Sequence, residues 1–486
     1  MQVLVLLSLV LPVVILIVRR ATPTKVANLV KLVLASKPPA MFVTDYAAAH
    51  RLLVGGGSFS NRPPSMSPSA VLSGRLYHNI ISAPYGQLWR ALRHNLTSGV
   101  LHPKHLRGYA ATRRRTLRRL VEDLREQQQL AGGGGVVLAT ESIRSAVFGL
   151  VSTMCFGDGV DAAVVRAMAD VQMELILSLP AARTFVSAPF LALWRLIYRK
   201  RWNKLVAIRQ KQEQLYLPLI DGCRIHRRSS DETTTTYVHT LLDLHVPGIA
   251  GGKQRRLEDG ELVGLCSEFL GSGTESLSAA LQWIMANLMK RPDMQEAIRR
   301  EIDAVVGANE EEVGEEVLGK LDHLNTVILE ALRLHPTTMW VFRQVMEEDQ
   351  VVHDGQHIPV GTKMVFSLEA LGRDKTMWTD PDEFKPERFQ AYRGAESITK
   401  NLLSMAGEMK MMPFGAGKRM CPAISMSLLH IGYFMANLVR EFEWSEAEGE
   451  HAVQLHTDAN VLLFNFMKRP LRAHVVPRRP EVKSIR

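Results

Sequence analysis

The sequence predicts a mainly α protein with small β-sheets at its side, an α+β chain built around one long central helix. Three observations predict it. First, "ELVGLCSEFLGSGTESLSAALQWIMANLMKRP", from Glu261 to Pro292, offers about eight turns of helix-compatible sequence, with turn residues before it and proline as its stop. Its apolar residues run almost all round, the pattern of a helix that crosses the interior. Second, "DMQEAIRREIDAVVG" and "LGKLDHLNTVILEALRLHP" repeat apolar residues at helical spacing and stop at Gly307 and Pro336. Third, strand-like runs are short and gather in "KLVLASKPPAMFVTD", "QVVHDGQHIPVGTKMVFSL" and "NVLLFNFM".

Composition bounds the organisation. Of 486 residues, 46% are hydrophobic and 22% charged, enough for a large buried core and too little charge for a disordered chain. Gly132–Gly135, Thr233–Thr236 and Glu310–Glu312 are the low-complexity pieces, each short enough to be a surface loop. With no long Pro/Gly/Ser linker, residues 21–486 read as one domain. The cysteines, Cys155, Cys223, Cys266 and Cys421, are scattered and never spaced for zinc, which suits a reducing compartment.

Residues 1–20 are a different material. Val3–Val18 is apolar except for Ser8, and Arg19 and Arg20 follow it. A cleaved signal would carry its cations first. Cations after the run predict a single-pass anchor with the rest of the chain on the cytoplasmic side. The run is slightly shorter than the ~20 residues of a full span, and a buried N-terminal helix is the alternative. The net charge of +10 is concentrated in runs such as Arg113–Arg119 and Arg224–Arg228, which read as solvated helix faces. No zinc-finger spacing, aromatic RNA-binding signature or helix-turn-helix accompanies them, so nucleic acid is not an expected partner. Anionic lipid or an acidic protein suits the charge better.

Three groups of residues ask for chemistry. Gly271, Gly273, Glu275 and Ser276 sit mid-helix, where glycine costs about 1 kcal/mol relative to alanine. Either something lies against that backbone, or the helix crosses another there and the glutamate is solvent-exposed. Glu330 and Arg333 share one face of an apolar helix, and Arg388 of "FKPERF" offers a third member; a surface salt bridge is the alternative. In "PFGAGKRMCP", Pro413–Pro422, Gly415 and Gly417 allow a sharp turn and a close approach to a flat ligand. Arg419 could reach an anionic group there. Cys421 precedes a helical run, among cations, where a thiolate is favoured and makes a good metal ligand. An inert buried cysteine is the other reading.

These segments carry a resemblance. "PFGAGKRMCPA" resembles the haem-ligand loop F-x-x-G-x-R-x-C-x-G of the cytochrome P-450 haem-thiolate monooxygenases, with Phe414, Gly417, Arg419 and Cys421 in register. "LEALRLHP" is similar to the family's E-x-x-R helix, "FKPERF" to its P-E-R-F segment, "GSGTES" to its oxygen-activating signature and "YGQLWRALR" to its W-x-x-x-R helix. Order and separation agree too. The wording of "LCSEFL", "LQWIMANL" and "MMPFGAGKRMCP" is similar to the plant A-type members near the subfamily numbered eighty-nine. Ser276 stands where threonine is usual, Leu277 where a second hydroxyl is common, and Ala423 where the loop ends in glycine. Between Arg20 and "LVKLVLAS" the chain is shorter than the family's proline-rich hinge, first helix and strand.

The resemblance implies haem b held by Cys421 as axial thiolate, with Trp89, Arg93, Arg343 and Arg419 at its propionates. Glu275 and Ser276 would serve proton delivery on the oxygen side, with Gly273 leaving room there. Glu330, Arg333 and Arg388 would form a proximal structural network. It further implies one oxygen atom inserted from O2 into a hydrophobic small molecule, with electrons from NADPH through a membrane-bound reductase, NADPH–cytochrome P-450 reductase. The location implied is the endoplasmic reticulum membrane, with the catalytic domain in the cytosol. Two alternatives are a haem-thiolate isomerase or dehydratase that needs no reductase, and a non-catalytic haem-binding copy. The retained Glu275–Ser276 pair argues against the isomerase.

Overall fold

The computed structural model describes residues 40–479, apart from 56–59, 75–77, 133–134, 187–190, 226–234, 249–251, 308–309, 347–351, 354, 393–401, 403–409, 448, 450–451 and 459–462. Its longer helices are α1 (Gln87–Gly99), α2 (Ala110–Leu130), α3 (Ala139–Phe156), α4 (Ala162–Val186), α5 (Arg199–Ile225), α6 (Asp259–Met289), α7 (Pro292–Val305), α8 (Asp322–Leu334) and α9 (Ile424–Glu441). Two three-stranded sheets lie beside them. In one, β1 (Ala40–Val43) pairs in parallel with β4 (Lys363–Ser367), which pairs antiparallel with β3 (Trp340–Gln344). In the other, β6 (Arg472–Pro477) lies between β2 (Val136–Leu138) and β5 (Phe442–Glu446), antiparallel to both. The expected run Val3–Val18 lies outside the described residues, and among the described residues no helix is long and apolar enough to cross a membrane.

The central helix starts on a capping box. Glu258 accepts from the backbone of Glu261, whose carboxylate in turn accepts the Glu258 N–H at 2.9 Å. Along its length α6 packs on α3, α4, α8 and α9 and is buried on almost every side. Its two glycines show why. A side chain at Gly271 would run into the Gln172 amide of α4, and one at Gly273 would meet Val151 of α3 at 3.0 Å. Gly273 is therefore a helix-crossing glycine, and the room freed by its missing side chain is filled by Val151. The glutamate beside it is not solvent-exposed, as the crossing-point reading supposed, but 1% exposed.

Other expectations change as well. "NVLLFNFM" does not form a strand among its described residues. Residues 463–467 make only isolated bridges, Phe464 to Thr338 and Met467 to Thr457, because Asn465 turns inward to bond the Pro336 carbonyl at 2.9 Å. The basic run on α2 is not wholly a solvated face. Arg114, Arg115, Arg118 and Arg119 are exposed, whereas Arg113 is buried, donating to the Leu106 carbonyl at 2.8 Å and to Glu315. The helical period carries it inward next to Thr112 and Thr116.

Glu330 and Arg333 on α8 have no exposed side-chain surface. Arg333 donates to both Glu330 oxygens at 2.7 Å and to the carbonyls of Gly372, Pro381 and Glu383. Glu330 also accepts the Lys385 N–H at 2.7 Å, and Arg388 Nε lies 3.4 Å from it. Arg388 caps the carbonyls of Thr379 and Asp380. The pair thus fastens the 372–388 segment to α8, with both Glu330 oxygens and all three Arg333 nitrogens hydrogen-bonded. Glu330→Ala should cost about 3–5 kcal/mol by leaving Arg333 buried and unpaired. Chemical denaturation checks it; a loss below about 1 kcal/mol, the scale of an exposed pair, would show that the network carries little.

Candidate active site

Cys421 stands at the end of a tight turn. Gly415 and Gly417 have φ of 68° and 71°, left-handed values that glycine adopts without strain. A side chain at Gly417 would strike the Leu53 carbonyl, so the close approach there is to protein backbone. The turn closes through the Cys421 N–H, which donates to the Phe414 carbonyl at 2.9 Å. Cys421 Sγ then accepts the Ala423 N–H at 3.4 Å, just before α9. Ala423 has φ −105°, a value any residue takes, so its methyl costs nothing in backbone strain.

The expected lowering of the Cys421 thiol is reversed. Burial raises it above the usual value, while the Ala423 N–H, Arg93 and Arg62 pull it down. Cations and a helix N-terminus are local and legible in sequence; the desolvation that outweighs them comes from tertiary packing. A metal cation supplies what is lacking, because a coordinating thiol is deprotonated by the ion itself.

Around this turn the structure gathers four arginines. Arg419 donates from Nε to the Ser60 carbonyl at 2.6 Å and also to the carbonyls of Ile80 and Ala83. Arg93, on α1, donates to the Met420 carbonyl at 2.7 Å. Arg343, on β3, reaches the carbonyls of Phe342 and Ala416. Arg62 donates to the Arg419 carbonyl at 3.1 Å. Among the described residues none of the four has a carboxylate within ion-pair distance. Burial lowers all four: Arg343 falls well below the usual range, helped by Arg62 and Arg419, and Arg419 falls to about 9, helped by Arg62 and Arg93, whereas Glu268 works against the lowering of Arg62. Trp89 packs under them, with the Arg419 guanidinium 4.3 Å and that of Arg93 5.9 Å from its ring. Its indole N–H has no protein partner among the described residues. Arg343 and Arg419 are buried and Arg62 and Arg93 half-buried, and buried cations held only by carbonyls are incomplete without an anion.

On α6 the acid and the alcohol face different neighbours. Glu275 is gripped by Arg144 of α3, whose Nε and Nη2 reach its carboxylate at 3.1–3.3 Å while Nη2 also donates to the Ala169 carbonyl. Burial raises the Glu275 carboxyl above its usual range despite Arg144. Ser276 points to open space instead. Between Glu261 and Met289 only Gly264, Glu268, Ser272, Gly273 and Ser276 keep partial exposure, one stripe of a helix otherwise enclosed by protein. The Ser276 hydroxyl donates to the Ser272 carbonyl at 2.7 Å, which holds its rotamer without a methyl group.

The family model for "Cytochrome P450" matches residues 23–470. The chain belongs to the cytochrome P-450 family. It is 37% identical over 450 residues to "Cytochrome P450 89A9" of Arabidopsis thaliana, covering 91% of this chain and 85% of that protein. "Amorpha-4,11-diene 12-monooxygenase" of Artemisia annua and "Germacrene A hydroxylase" of Tanacetum parthenium are 27% and 28% identical, over 81% of this chain and 74% and 75% of theirs. Solved structures of a zebra fish cytochrome P450 with progesterone and with abiraterone share the fold, with TM-scores of 0.68 and 0.69 at 20% identity, covering 90% of this chain and 93% of theirs. The protein is accordingly a haem-thiolate monooxygenase, an oxidoreductase whose cofactor is haem b and whose electrons come from a reductase.

The residues present fit that cofactor. A cytochrome P-450 needs one thiol and cations for two carboxylates, and the Cys421 turn with its unpaired arginines provides both. Of the residues singled out in sequence, Trp89, Arg93, Arg343, Phe414, Gly417, Arg419 and Cys421 come together here. Glu330, Arg333 and Arg388 lie apart as a structural network. Arg62 and Arg144 were missed: the first sits in a loop and the second on an ordinary helix, and neither belongs to a local pattern.

Because Glu275 is raised, its contribution to stability is fully present below the ordinary carboxyl range and is lost as pH rises through its folded value. Arg144→Leu should therefore cost about 3–5 kcal/mol near pH 8 and less near pH 5, where Glu275 can take a proton. Urea denaturation at the two pH values tests this. Equal losses would mean that Arg144 acts by packing alone.

Proposed function

We propose that Cys421 would ligate the haem iron of this monooxygenase as a thiolate and that Trp89, Arg93, Arg343 and Arg419 would hold the two haem carboxylates. The observation that carries the reading is the set of arginines around the thiol turn, Arg343 and Arg419 buried and Arg93 half-buried, that meet carbonyls and no carboxylate among the described residues. Haem b, when bound, supplies the oxygen-activating chemistry, and a thiolate ligand raises its electron density.

The chain's own residues do the rest. Cys421 is held by a turn whose N–H and C=O groups are already bonded to each other, so the sulfur is aimed before any ligand arrives. Ser276 keeps its oxygen lone pairs toward the open stripe while its hydrogen is engaged by Ser272, so it is set to accept from a water there. Glu275 holds a proton more readily than a surface carboxyl. As adjacent residues these two point about 100° apart round the helix, so a proton passes between them through water or after Glu275 leaves Arg144. This retained acid–alcohol pair supports oxygen insertion over peroxide rearrangement.

The substrate proposed is a hydrophobic small molecule. Val171, Leu175, Ile176 and Leu179 of α4 pack with Met66, Leu463, Phe464 and Phe466 in one apolar cluster, a lining that suits such a molecule. The partner proposed is NADPH–cytochrome P-450 reductase. The location proposed is the endoplasmic reticulum membrane, with residues 1–20 as a single-pass anchor and the catalytic domain in the cytosol. The apolar run followed by Arg19 and Arg20 supports it.

Two measurements follow. The reduced carbon monoxide complex of the wild type should show a long-wavelength Soret band that Cys421→Ser loses, together with reductase-dependent NADPH oxidation; an unchanged band in the variant would refute Cys421 as ligand. Alkaline extraction of microsomes should leave the full chain in the pellet and release a chain lacking residues 1–20. Release of both would remove the anchor.

A further inference from the structure

The open stripe of α6 carries one charged residue that the reading above does not use. Glu268 lies two turns before Ser276, on the same face as Ser272. Its Oε1 accepts the Ile81 N–H at 2.7 Å and its Oε2 the Ile80 N–H at 3.1 Å. Both belong to the turn Asn79–Ala83, which closes on itself: the Ala83 N–H donates to the Asn79 carbonyl at 2.9 Å, and Asn79 Oδ1 accepts from the Ser82 N–H at 2.8 Å and its hydroxyl at 2.6 Å. The same turn offers its carbonyls to the opposite side. Ile80 and Ala83 accept from Arg419, and Ile81 accepts from Arg62 at 3.4 Å. One five-residue turn thus has two N–H groups, of Ile80 and Ile81, on the central helix and three C=O groups, of Ile80, Ile81 and Ala83, on the arginines beside Cys421.

We propose that Glu268 is a positioning residue that holds the Asn79–Ala83 turn as a strap between α6 and the Cys421 loop, so that the central helix sets where Arg419 and Arg62 stand. A carboxylate suits this task, because it accepts at both oxygens and its negative charge faces the N–H ends of peptides whose C=O ends face cations. The strap also explains how Ile81, 43% exposed at the surface, sits in a turn tied at both edges. The consequence for the haem site rests on the arginine reading above; the strap itself does not.

Ionisation gives the strap a measurable signature. Burial pushes Glu268 up to about 7, against the Ile80 and Ile81 N–H groups and the charge of Arg62. Tyr237 faces it from the neighbouring helix Tyr237–Asp243. On its own helix Glu261 is held ionised by Arg255 and His78. A protonated oxygen turns from acceptor to donor and cannot take the N–H in front of it. The strap therefore loosens as pH falls through neutrality.

Amide hydrogen exchange of the haem-loaded protein, resolved at Ile80 and Ile81 and corrected for intrinsic rates, tests this at pH 6 and pH 8. Wild type should be protected about tenfold better at pH 8, the scale of hydrogen bonds to a charged acceptor. Glu268→Gln, which retains one acceptor and presents an N–H2 group to the second amide, should lose that protection and its pH dependence. His78→Asn, which leaves Glu268 intact, should keep both. Equal protection at the two pH values in wild type, or in wild type and Glu268→Gln, overturns the strap; the wild-type comparison stands even if the variant does not fold. Transfer of haem to apomyoglobin separates the two readings. Faster transfer from Glu268→Gln links the strap to the haem site. Unchanged transfer with altered exchange leaves the strap standing and removes the arginines from haem retention.

Discussion

A charge buried away from water has to be met by an opposite charge or by carbonyl oxygens, and the architecture around the active site depends on that constraint. Arg333 meets Glu330 and the carbonyls of three residues in the 372–388 segment. Arg144 meets Glu275. Arg93, Arg343 and Arg419 meet carbonyls alone. The first two arrangements are closed and make structure. The third leaves uncompensated positive charge beside a thiol, which is what an anionic, metal-bearing ligand requires. The same physical rule thus separates a scaffold from a binding site within one chain.

The central helix shows how a rigid element carries several tasks at once. Gly271 and Gly273 let α4 and α3 approach its backbone, so its position is set by close packing. With that position fixed, one stripe can be left open, and the residues along it take different duties. Ser276 faces the open side, Glu275 turns away to Arg144, and Glu268 reaches the turn that carries Arg419. Helical periodicity decides this division: residues four apart share a face, while neighbours in sequence do not.

Legibility in the sequence follows the range of each interaction. The Cys421 turn is local, since its glycines, its cations and the helix after it lie within a few residues. The Glu330–Arg333 pair is three residues apart on one helix and was equally plain. Arg144 and Glu275 are 131 residues apart, and Arg62 and Arg419 357 apart, so no spacing rule points to them. The thiol's direction of shift went the other way for the same reason, because cations and a helix terminus can be read locally and burial cannot. "NVLLFNFM" has a strand's alternation, yet Asn465 is drawn inward to Pro336 and the segment bends.

By itself, then, the sequence determined the helical core, the tight turn before Cys421, the Glu330–Arg333 spacing on α8 and the family to which they belong, because each rests on periodicity or on residues close in the chain. Only the tertiary structure decided which charges are paired and which are left for a ligand, and that Gly273 serves a helix crossing. Pairing and desolvation are properties of space, settled when distant segments exclude water from one another.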